Sequence, residues 1–520
     1  MRAHTTWIVV AALAAGCWGL DEADTGPDAG GDAGADTDAD SDADSDAGAP
    51  AVADGCEALA SIPGSSNWPQ GVSAFPGGGA LVTGLVQAGA VFGPGEAGET
   101  TLSPASGGEI GFLARYAADA SLAWVERAVE SPSFANGWAT ATGGGRIYSC
   151  GLYSGDAAFG VGDPGEVDVT DGPGSYNPYV VSYSPDGSFD WARRVDASGY
   201  SMATHAVALD DGSVVMAMAI TGDAVFGAGE PGETAFSCDD WDVFLAKYAA
   251  DGGLLWVKHT GGDVGGGYVA NYAGDLAVAP DGAIVLTGLF HGGDTVFGEG
   301  EENETVLHGL PDRDAMFVAW YDPADGTLRR AVSALADADG FVVAYNLAAH
   351  PSGDVSVVGY YGGQALFGAG EAHETALTSS DYGDQFLARF DQTGALLWAE
   401  TIIVGSEAST WYAAPAGESA VVFGQVSDSG VALQDAAGGA VAISGSDGFI
   451  GFLGRYDADG SLGAVKGVAG SGGISPGGIE AGDDGALWIA GSAYGGGLEC
   501  AGVPGASMTG DGMFLMRVSI

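Results

Sequence analysis

Pairs of carboxylates recur in the sequence, each pair three residues apart in a glycine-containing loop. Carboxylate and carbonyl oxygens are the ligands that Ca²⁺ takes in proteins, so the pairs are candidate calcium sites along one rim of the fold. Two alternatives stay open: the carboxylates accept N–H groups within their own turns, or they form a docking surface for a partner. The paired acids are Glu96 and Glu99, Asp163 and Glu166, Glu230 and Glu233, Glu301 and Glu304, and Glu371 and Glu374.

Other motifs give no support for catalysis. Three of the same loops match Gly-x-Gly-x-x-Gly, but dinucleotide binding requires a helix after the loop, and the sequence predicts none. The histidines form neither the HxH nor the HExxH pattern that holds zinc. We therefore expect no catalytic residues and no cofactor other than calcium, and hence no enzyme. The rival hypothesis is a hydrolase or lyase that acts on polysaccharide at a central channel.

The five cysteines divide by position. Cys17 follows the stretch LAAG, which resembles a bacterial lipobox and implies that this cysteine carries lipid. An exported protein can form disulfides, and the repeat positions of Cys150 and Cys238 place them on one face of adjacent repeats, where they could pair. Cys56 and Cys500 are expected at opposite ends of their strands, too far apart for a disulfide unless the intervening insertion folds back.

The charge balance excludes two classes of partner. The chain of 520 residues carries 69 acidic and 15 basic residues, a formal net charge of −54. Nucleic acids and anionic lipid surfaces are bound through clustered Lys and Arg, so neither is an expected partner. With 46% hydrophobic residues, the chain can still bury a large core.

The N-terminal region is typical of an exported lipoprotein. Residues 1–16 have one Arg followed by a short apolar stretch, which suits a signal peptide and is too short to span a bilayer. Residues 17–53 are rich in Asp, Ala and Gly and predict an extended tether. Residue 18 is Trp, not the Asp that tends to retain lipoproteins at the inner membrane, so we expect the outer membrane or the cell surface.

Residues 54–520 consist of seven copies of a repeat of about 67 residues. An aromatic-x-x-x-aromatic segment, as in Phe244 to Tyr248, alternates with a strand that ends in Gly, as at Gly288. Asp-Gly turns separate these strands and favour hairpins, so each repeat predicts four strands. Four-stranded repeats in series indicate a β-propeller. Seven repeats, the last completed by the segment up to Ile62, predict a closed all-β ring of seven blades.

The repeat pattern D-x-F-φ-A-K/R-Y-x-x-D-G-x-L-x-W resembles the seven-bladed β-propeller repeat of large exported bacterial proteins. That resemblance implies a fold and no shared catalytic residues. The segment Y-x-x-D-G-x-L-x-W also resembles quinoprotein-like propellers, which include an outer-membrane assembly lipoprotein, so this resemblance implies a role in outer-membrane assembly as a second rival function. The expected function is thus a lipid-anchored binding or scaffold module, held to the membrane through its anchor and bound to a protein or glycan partner that the sequence does not identify.

Overall fold

The computed structural model describes residues 51–520 except 54, 65, 106, 172–175, 261–269, 380–382, 406–407, 427–430, 444–449, 469–472, 496, 501–502 and 504–506. The predictions for the signal peptide, for Cys17 and for the tether up to residue 50 lie outside the described residues. The described residues contain strands and no helix. No helix that could cross a membrane occurs among them.

The strands of the first half of the chain include short hairpins inserted between longer strands. They are β1 (Ala51–Ala53), β2 (Cys56–Pro63), β3 (Asn67–Ala74), β4 (Ala80–Val86), β5 (Ala90–Phe92), β6 (Thr100–Leu102), β7 (Glu109–Tyr116), β8 (Leu122–Ser131), β9 (Phe134–Gly143), β10 (Arg146–Ser154), β11 (Ala157–Phe159), β12 (Val167–Val169), β13 (Tyr176–Tyr183), β14 (Phe189–Ala197), β15 (Ser201–Ala208), β16 (Val214–Phe226), β17 (Thr234–Tyr248) and β18 (Leu254–Thr260).

The second half of the chain repeats this arrangement. Its strands are β19 (Ala270–Val278), β20 (Ile284–His291), β21 (Thr295–Phe297), β22 (Thr305–Leu307), β23 (Asp314–Tyr321), β24 (Leu328–Ala336), β25 (Phe341–Ala349), β26 (Val355–Gly362), β27 (Gln364–Phe367), β28 (Thr375–Thr378), β29 (Asp384–Phe390), β30 (Leu396–Ile403), β31 (Ala408–Ala416), β32 (Ser419–Val426), β33 (Val431–Gln434), β34 (Ala440–Ile443), β35 (Ile450–Tyr456), β36 (Leu462–Val468), β37 (Ile474–Ala481), β38 (Leu487–Ala493), β39 (Gly497–Cys500), β40 (Ser507–Thr509) and β41 (Gly512–Val518).

Antiparallel groups of four long strands recur along the described chain, which confirms the four strands predicted for each repeat and makes the fold all-β and propeller-like. In every group the first strand pairs with the second, the second with the third and the third with the fourth. Groups 1 to 7 are β3-β4-β7-β8, β9-β10-β13-β14, β15-β16-β17-β18, β19-β20-β23-β24, β25-β26-β29-β30, β31-β32-β35-β36 and β37-β38-β41-β2.

Tight Asp-Gly turns join the third and fourth strands and also contact the preceding group. Gly252 has φ +86°, a conformation that glycine adopts without a Cβ clash. A Cβ at this position would lie 2.9 Å from the Trp191 ring of group 2, and the Trp191 indole N–H donates to the Ala250 carbonyl at 3.0 Å. Trp191 therefore packs between the outer strands of groups 2 and 3.

The inserted hairpins reach from one group to the next. β11 belongs to the second repeat but pairs with β8 of group 1, and β27 of the fifth repeat pairs with β24 of group 4. In the third repeat, the end of β16 pairs in the same way with β14. The insertions thus extend the sheet of the preceding group.

The two ends of the described chain meet in group 7. β2 pairs with β41, with Leu59 opposite Met516. β1, at the end of the segment predicted as a tether, pairs in parallel with β39 and places Ala53 opposite Cys500. A disulfide joins Cys56 to Cys500. The expectation against this bridge was wrong, because the insertion β39–β40 folds back beside the N-terminal strands.

The disulfide proposed between Cys150 and Cys238 is absent; both side chains are buried and neither is in a disulfide. Cys150 lies within β10, opposite Val180 of its own group. Cys238 lies on β17, opposite Gly222, and its sulfur lies near Asp242 and His259. The prediction was wrong because repeat position fixes the face on which a residue lies but not its closest neighbour across two groups.

Candidate functional site

The paired loop acids serve as hydrogen-bond acceptors within the fold. The second acid of each pair accepts the N–H of a glycine four residues earlier in its own turn. These bonds are Glu99 to Gly95 at 2.6 Å, Glu166 to Gly162 at 2.6 Å, Glu233 to Gly229 at 2.7 Å, Glu304 to Gly300 at 2.6 Å and Glu374 to Gly370 at 2.6 Å.

The first acid of each pair bonds the start of the outermost strand in its own group. The N–H donors are Leu122 to Glu96 at 2.7 Å, Leu254 to Glu230 at 3.1 Å, Leu328 to Glu301 at 2.5 Å and Leu396 to Glu371 at 2.6 Å, and the Phe189 N–H bonds Asp163. In the sixth repeat the single residue Asp435 makes both types of bond, with Gly439 and Leu462.

The sequence predicts the paired acids at the rim where each insertion leaves the second strand of its group. The structure instead places them at the opposite end of the strands, because each hairpin runs back along its group and its turn contacts the start of the fourth strand. The carboxylates therefore hold the hairpins against the outer strands, which is the turn-bonding alternative. Calcium binding and partner docking at these turns stay predictions.

A second set of equivalent positions lies on the first strand of each group, and several of them carry polar residues. A β-bulge interrupts this strand at the same repeat position in all groups, and bulges often re-aim side chains next to functional sites. The residues that follow the bulge are Gly71, Ala139, His205, Asp275, Asn346, Tyr412 and Gly478. Together these strands line a cavity of about 480 Å³, a size that suits a small-molecule ligand.

His205 and Asp275 form a pair on neighbouring strands of this cavity. His205 Nε2 lies 3.3 Å from Asp275 Oδ1. Asp275 also accepts N–H groups from Leu276 at 2.6 Å and from Leu347 at 3.0 Å. The backbone of two groups thus fixes the carboxylate, and the carboxylate in turn orients the imidazole.

Burial changes the protonation of the cavity carboxyls. It raises the pKa of Asp275 above its usual value, against the lowering effects of His205 and of the amides of Leu347 and Leu276. Burial also raises the pKa of Glu480, which lines the same cavity, to about 7, and the charge of Asp275 adds to this shift. Glu480 is therefore partly protonated near neutral pH, as a general acid or base requires.

Two buried nitrogen atoms at the cavity have no hydrogen-bond partner among the described residues: Trp138 Nε1 and His205 Nδ1. A buried polar group without a partner is costly. Tyr412 adds a second aromatic residue to the lining. Acids, an imidazole and aromatic rings thus surround one cavity.

Sequence reasoning missed this set because its members lie one repeat apart along the chain and form no local motif. The available signal was their repeat position: His205, Asp275 and Asn346 occupy equivalent places in three successive repeats. The paired acids of the loops lie elsewhere, and none of them is in the cavity lining.

No family model and no curated protein matches this chain. A solved protein of unknown function from Dyadobacter fermentans is similar at 11% identity and TM-score 0.36, over 73% of this chain and 93% of that one. A glucose dehydrogenase is similar at 12% identity and TM-score 0.31, over 89% and 100%. The periplasmic gluconolactonase of Pseudomonas aeruginosa is similar at 13% identity and TM-score 0.27, over 75% and 99%.

The prediction that the chain is not an enzyme is contradicted by these similar structures. They include a glucose dehydrogenase and a gluconolactonase. At these identities and TM-scores, the similarity assigns neither activity to this chain. The chemistry has to be argued from the cavity itself.

Proposed function

We propose that this protein is an acid–base enzyme, a hydrolase or lyase, that acts on carbohydrate in its central cavity. The observation that carries the proposal is the presence of the His205–Asp275 pair and Glu480 in the lining of one cavity. Hydrolysis and elimination at a sugar both need a group that gives a proton and a group that takes one. Trp138 lines the cavity and supplies an aromatic ring to a polyhydroxylated ligand.

The roles follow from the environment of each group. Glu480, with its pKa raised to about 7, is the proposed general acid. His205 is the proposed general base, and Asp275 orients its ring through Nε2. Asp275 is a positioning residue, because its oxygens are engaged by His205 and two backbone amides.

The proposal includes the architecture that places these groups together. We propose that groups 1 to 7 are the blades of one closed ring in which β2 supplies the last strand of group 7. The contribution of every group's first strand to the same cavity supports this arrangement. A closed ring also has no free sheet edge, which removes an aggregation hazard.

Variants of the cavity residues test the activity. The full-length protein is assayed for turnover against chromogenic glycosides and oligosaccharides that contain uronic acids, and for binding by thermal shift. We expect Glu480→Gln and His205→Gln to lower turnover at least about 100-fold, the lower range for loss of a general acid or base, while binding persists. Glu126→Gln is the matched control, because burial also raises the pKa of Glu126 to about 7 on the outer strand β8. If Glu480→Gln and His205→Gln retain the same turnover as Glu126→Gln and the wild type, the proposal is refuted.

We further propose that the protein is exported and anchored through lipid on Cys17, at the outer membrane or cell surface, where it meets a glycan or protein partner. The Cys56–Cys500 disulfide supports export, because disulfides persist in oxidising compartments. Cys17→Ser is expected to move the protein from the membrane fraction to the soluble fraction. Unchanged fractionation would contradict the anchor.

A further inference from the structure

Three metal-ligating side chains meet on the outer half of group 3, away from the central cavity. Cys238 and Asp242 lie on β17, and His259 lies on β18. The Cys238 sulfur, a carboxylate oxygen of Asp242 and a ring nitrogen of His259 all lie within 4.8 Å of one another. No other group of this kind occurs among the described residues.

The strand register explains how they converge. Phe244 pairs with His259 across β17 and β18, and Asp242 lies two residues from Phe244, so it projects on the same face of the sheet. The two side chains are diagonal neighbours, and His259 Nε2 lies 2.8 Å from Asp242 Oδ2. Cys238 lies four residues before Asp242, but a β-bulge compresses β17 between them: Asp242 pairs with Ile220 and Cys238 with Gly222, only two residues further along β16.

We infer that Cys238, Asp242 and His259 form a binding site for a divalent transition metal, with zinc as the preferred ion. Thiolate, imidazole and carboxylate are the three ligand types of protein zinc sites. A hard cation such as Ca²⁺ or Mg²⁺ takes oxygen ligands instead. Three protein ligands leave a fourth tetrahedral position for water or an external ligand.

The distances require only a small rearrangement. Zinc binds sulfur at about 2.3 Å and nitrogen or oxygen at about 2.0–2.2 Å, which sets the ligand atoms of a tetrahedral site roughly 3.3–3.7 Å apart. The His259–Asp242 pair would open slightly from 2.8 Å, and the sulfur would approach from within 4.8 Å. Rotation about side-chain bonds suffices for both changes.

The residues around the cluster restrict the His259 imidazole and still leave a path for a metal ion from solvent. The ring of His259 packs against Phe236 at 5.5 Å and against Phe244 at 4.9 Å between centroids, so its orientation is restricted. Cys238 is buried, whereas the side chains of His259 and Asp242 retain 26% and 13% of their exposure. An ion can therefore arrive from the solvent side and reach the buried sulfur last.

Binding at this site displaces protons in a defined way. The Cys238 thiol loses its proton to become a thiolate ligand, and the imidazole must be neutral at the coordinating nitrogen. The bond that forms is sulfur to metal, and the thiol proton leaves to solvent. No electron is transferred, so the step needs no oxidant or reductant.

Cobalt titration of the purified full-length protein tests the inference. After removal of metal by EDTA, Co²⁺ is added and the thiolate-to-cobalt charge-transfer absorption is followed. We expect saturation at one equivalent and loss of the band when Zn²⁺ is added. Cys238→Ser should abolish the band, and Asp242→Asn should keep it while weakening affinity at least about tenfold, as changes around metal ligands commonly do.

Two controls separate the site from unrelated thiols and histidines. Cys150→Ser removes another buried cysteine, and His308→Gln removes a His–Asp pair at 2.8 Å that is not part of the cluster. Both variants should retain the band. A wild-type protein without the band, or a Cys238→Ser variant that keeps it, would overturn the inference, and the circular dichroism spectrum of each variant verifies that it is folded.

Discussion

At the scale of single residues, hydrogen-bond partners separate the carboxylates that hold the fold together from those available for chemistry. Glu301 accepts the Leu328 N–H at 2.5 Å and pairs with Lys258 at 2.6 Å. Glu480 lines the central cavity, and its raised pKa comes mainly from burial. Donors hold the carboxyl group of Glu301 in place, whereas Glu480 is partly protonated near neutral pH and can transfer a proton.

The raised pKa of Glu480 predicts a pH-dependent stability difference. Between the ordinary carboxyl pKa of 4.5 and about 7, the folded protein holds a proton that the unfolded chain has lost. The free energy of unfolding contributed by Glu480 therefore falls as pH rises through this window. Glu480→Gln lacks the titrating group, so its Tm should exceed that of the wild type above this window by a few degrees and converge with it below pH 4.5.

Thermal melts across this pH range measure the difference. Glu126→Gln should show the same trend, because burial raises the pKa of Glu126 to about 7 as well, but it should leave turnover unchanged. A Tm difference between Glu480→Gln and the wild type that does not vary with pH would show that folding does not raise the pKa of Glu480.

At the scale of elements, the inserted hairpins connect neighbouring groups. Their strands extend the preceding sheet, as β11 does with β8, and their acids also pair with bases of the preceding group. Arg193 of group 2 lies 2.9 Å from Glu230 of the third repeat, and Lys258 of group 3 lies 2.6 Å from Glu301 of the fourth. The chain has 15 basic residues, and Arg193 and Lys258 each neutralise a hairpin acid of the following repeat.

Removal of one such carboxylate should loosen the hairpin. Glu301→Ala leaves the Leu328 N–H and the half-buried Lys258 without their acceptor, so we expect the free energy of unfolding to fall by about 1–3 kcal/mol. Chemical denaturation measures the change. Glu302→Ala in the same turn is the control, since Glu302 is exposed and should cost little. Equal losses in the two variants would show that the hydrogen bond to Leu328 does not stabilise the hairpin.

Strand order was predictable from the sequence because it depends on local signals. The turn at Ala250–Gly252 and the alternation from Phe244 to Tyr248 mark β17 and β18 without knowledge of any distant contact. The bulges, the path of the hairpins and the His205–Asp275 pair were not predictable in this way. The bulges lie between the first two strands of one group, where the alternation of residue types does not mark them. The hairpin path and the His205–Asp275 pair depend on contacts between neighbouring repeats, for which the chain carries no local pattern.

At the scale of the whole molecule, the two ends of the described chain are joined in group 7. β2 pairs with β41, β1 pairs with β39, and the Cys56–Cys500 disulfide spans 444 residues of sequence. In the unfolded state, a cross-link over so long a loop removes much conformational freedom. The disulfide should therefore stabilise the whole fold as well as the local junction.

Removal of this cross-link is the corresponding prediction. Cys56→Ser combined with Cys500→Ser should lower the free energy of unfolding by about 2–5 kcal/mol, the range for loss of a native disulfide. The strands β2 and β41 should still pair, because Ile62, Leu515 and Met516 remain buried. The double variant should therefore fold, melt several degrees lower than the wild type, and show no further change when a reductant is added. Wild-type protein treated with reductant should reach the same Tm. If the wild type and the double variant melt together under oxidising conditions, the strand pairing alone joins the ends and the disulfide adds nothing to stability.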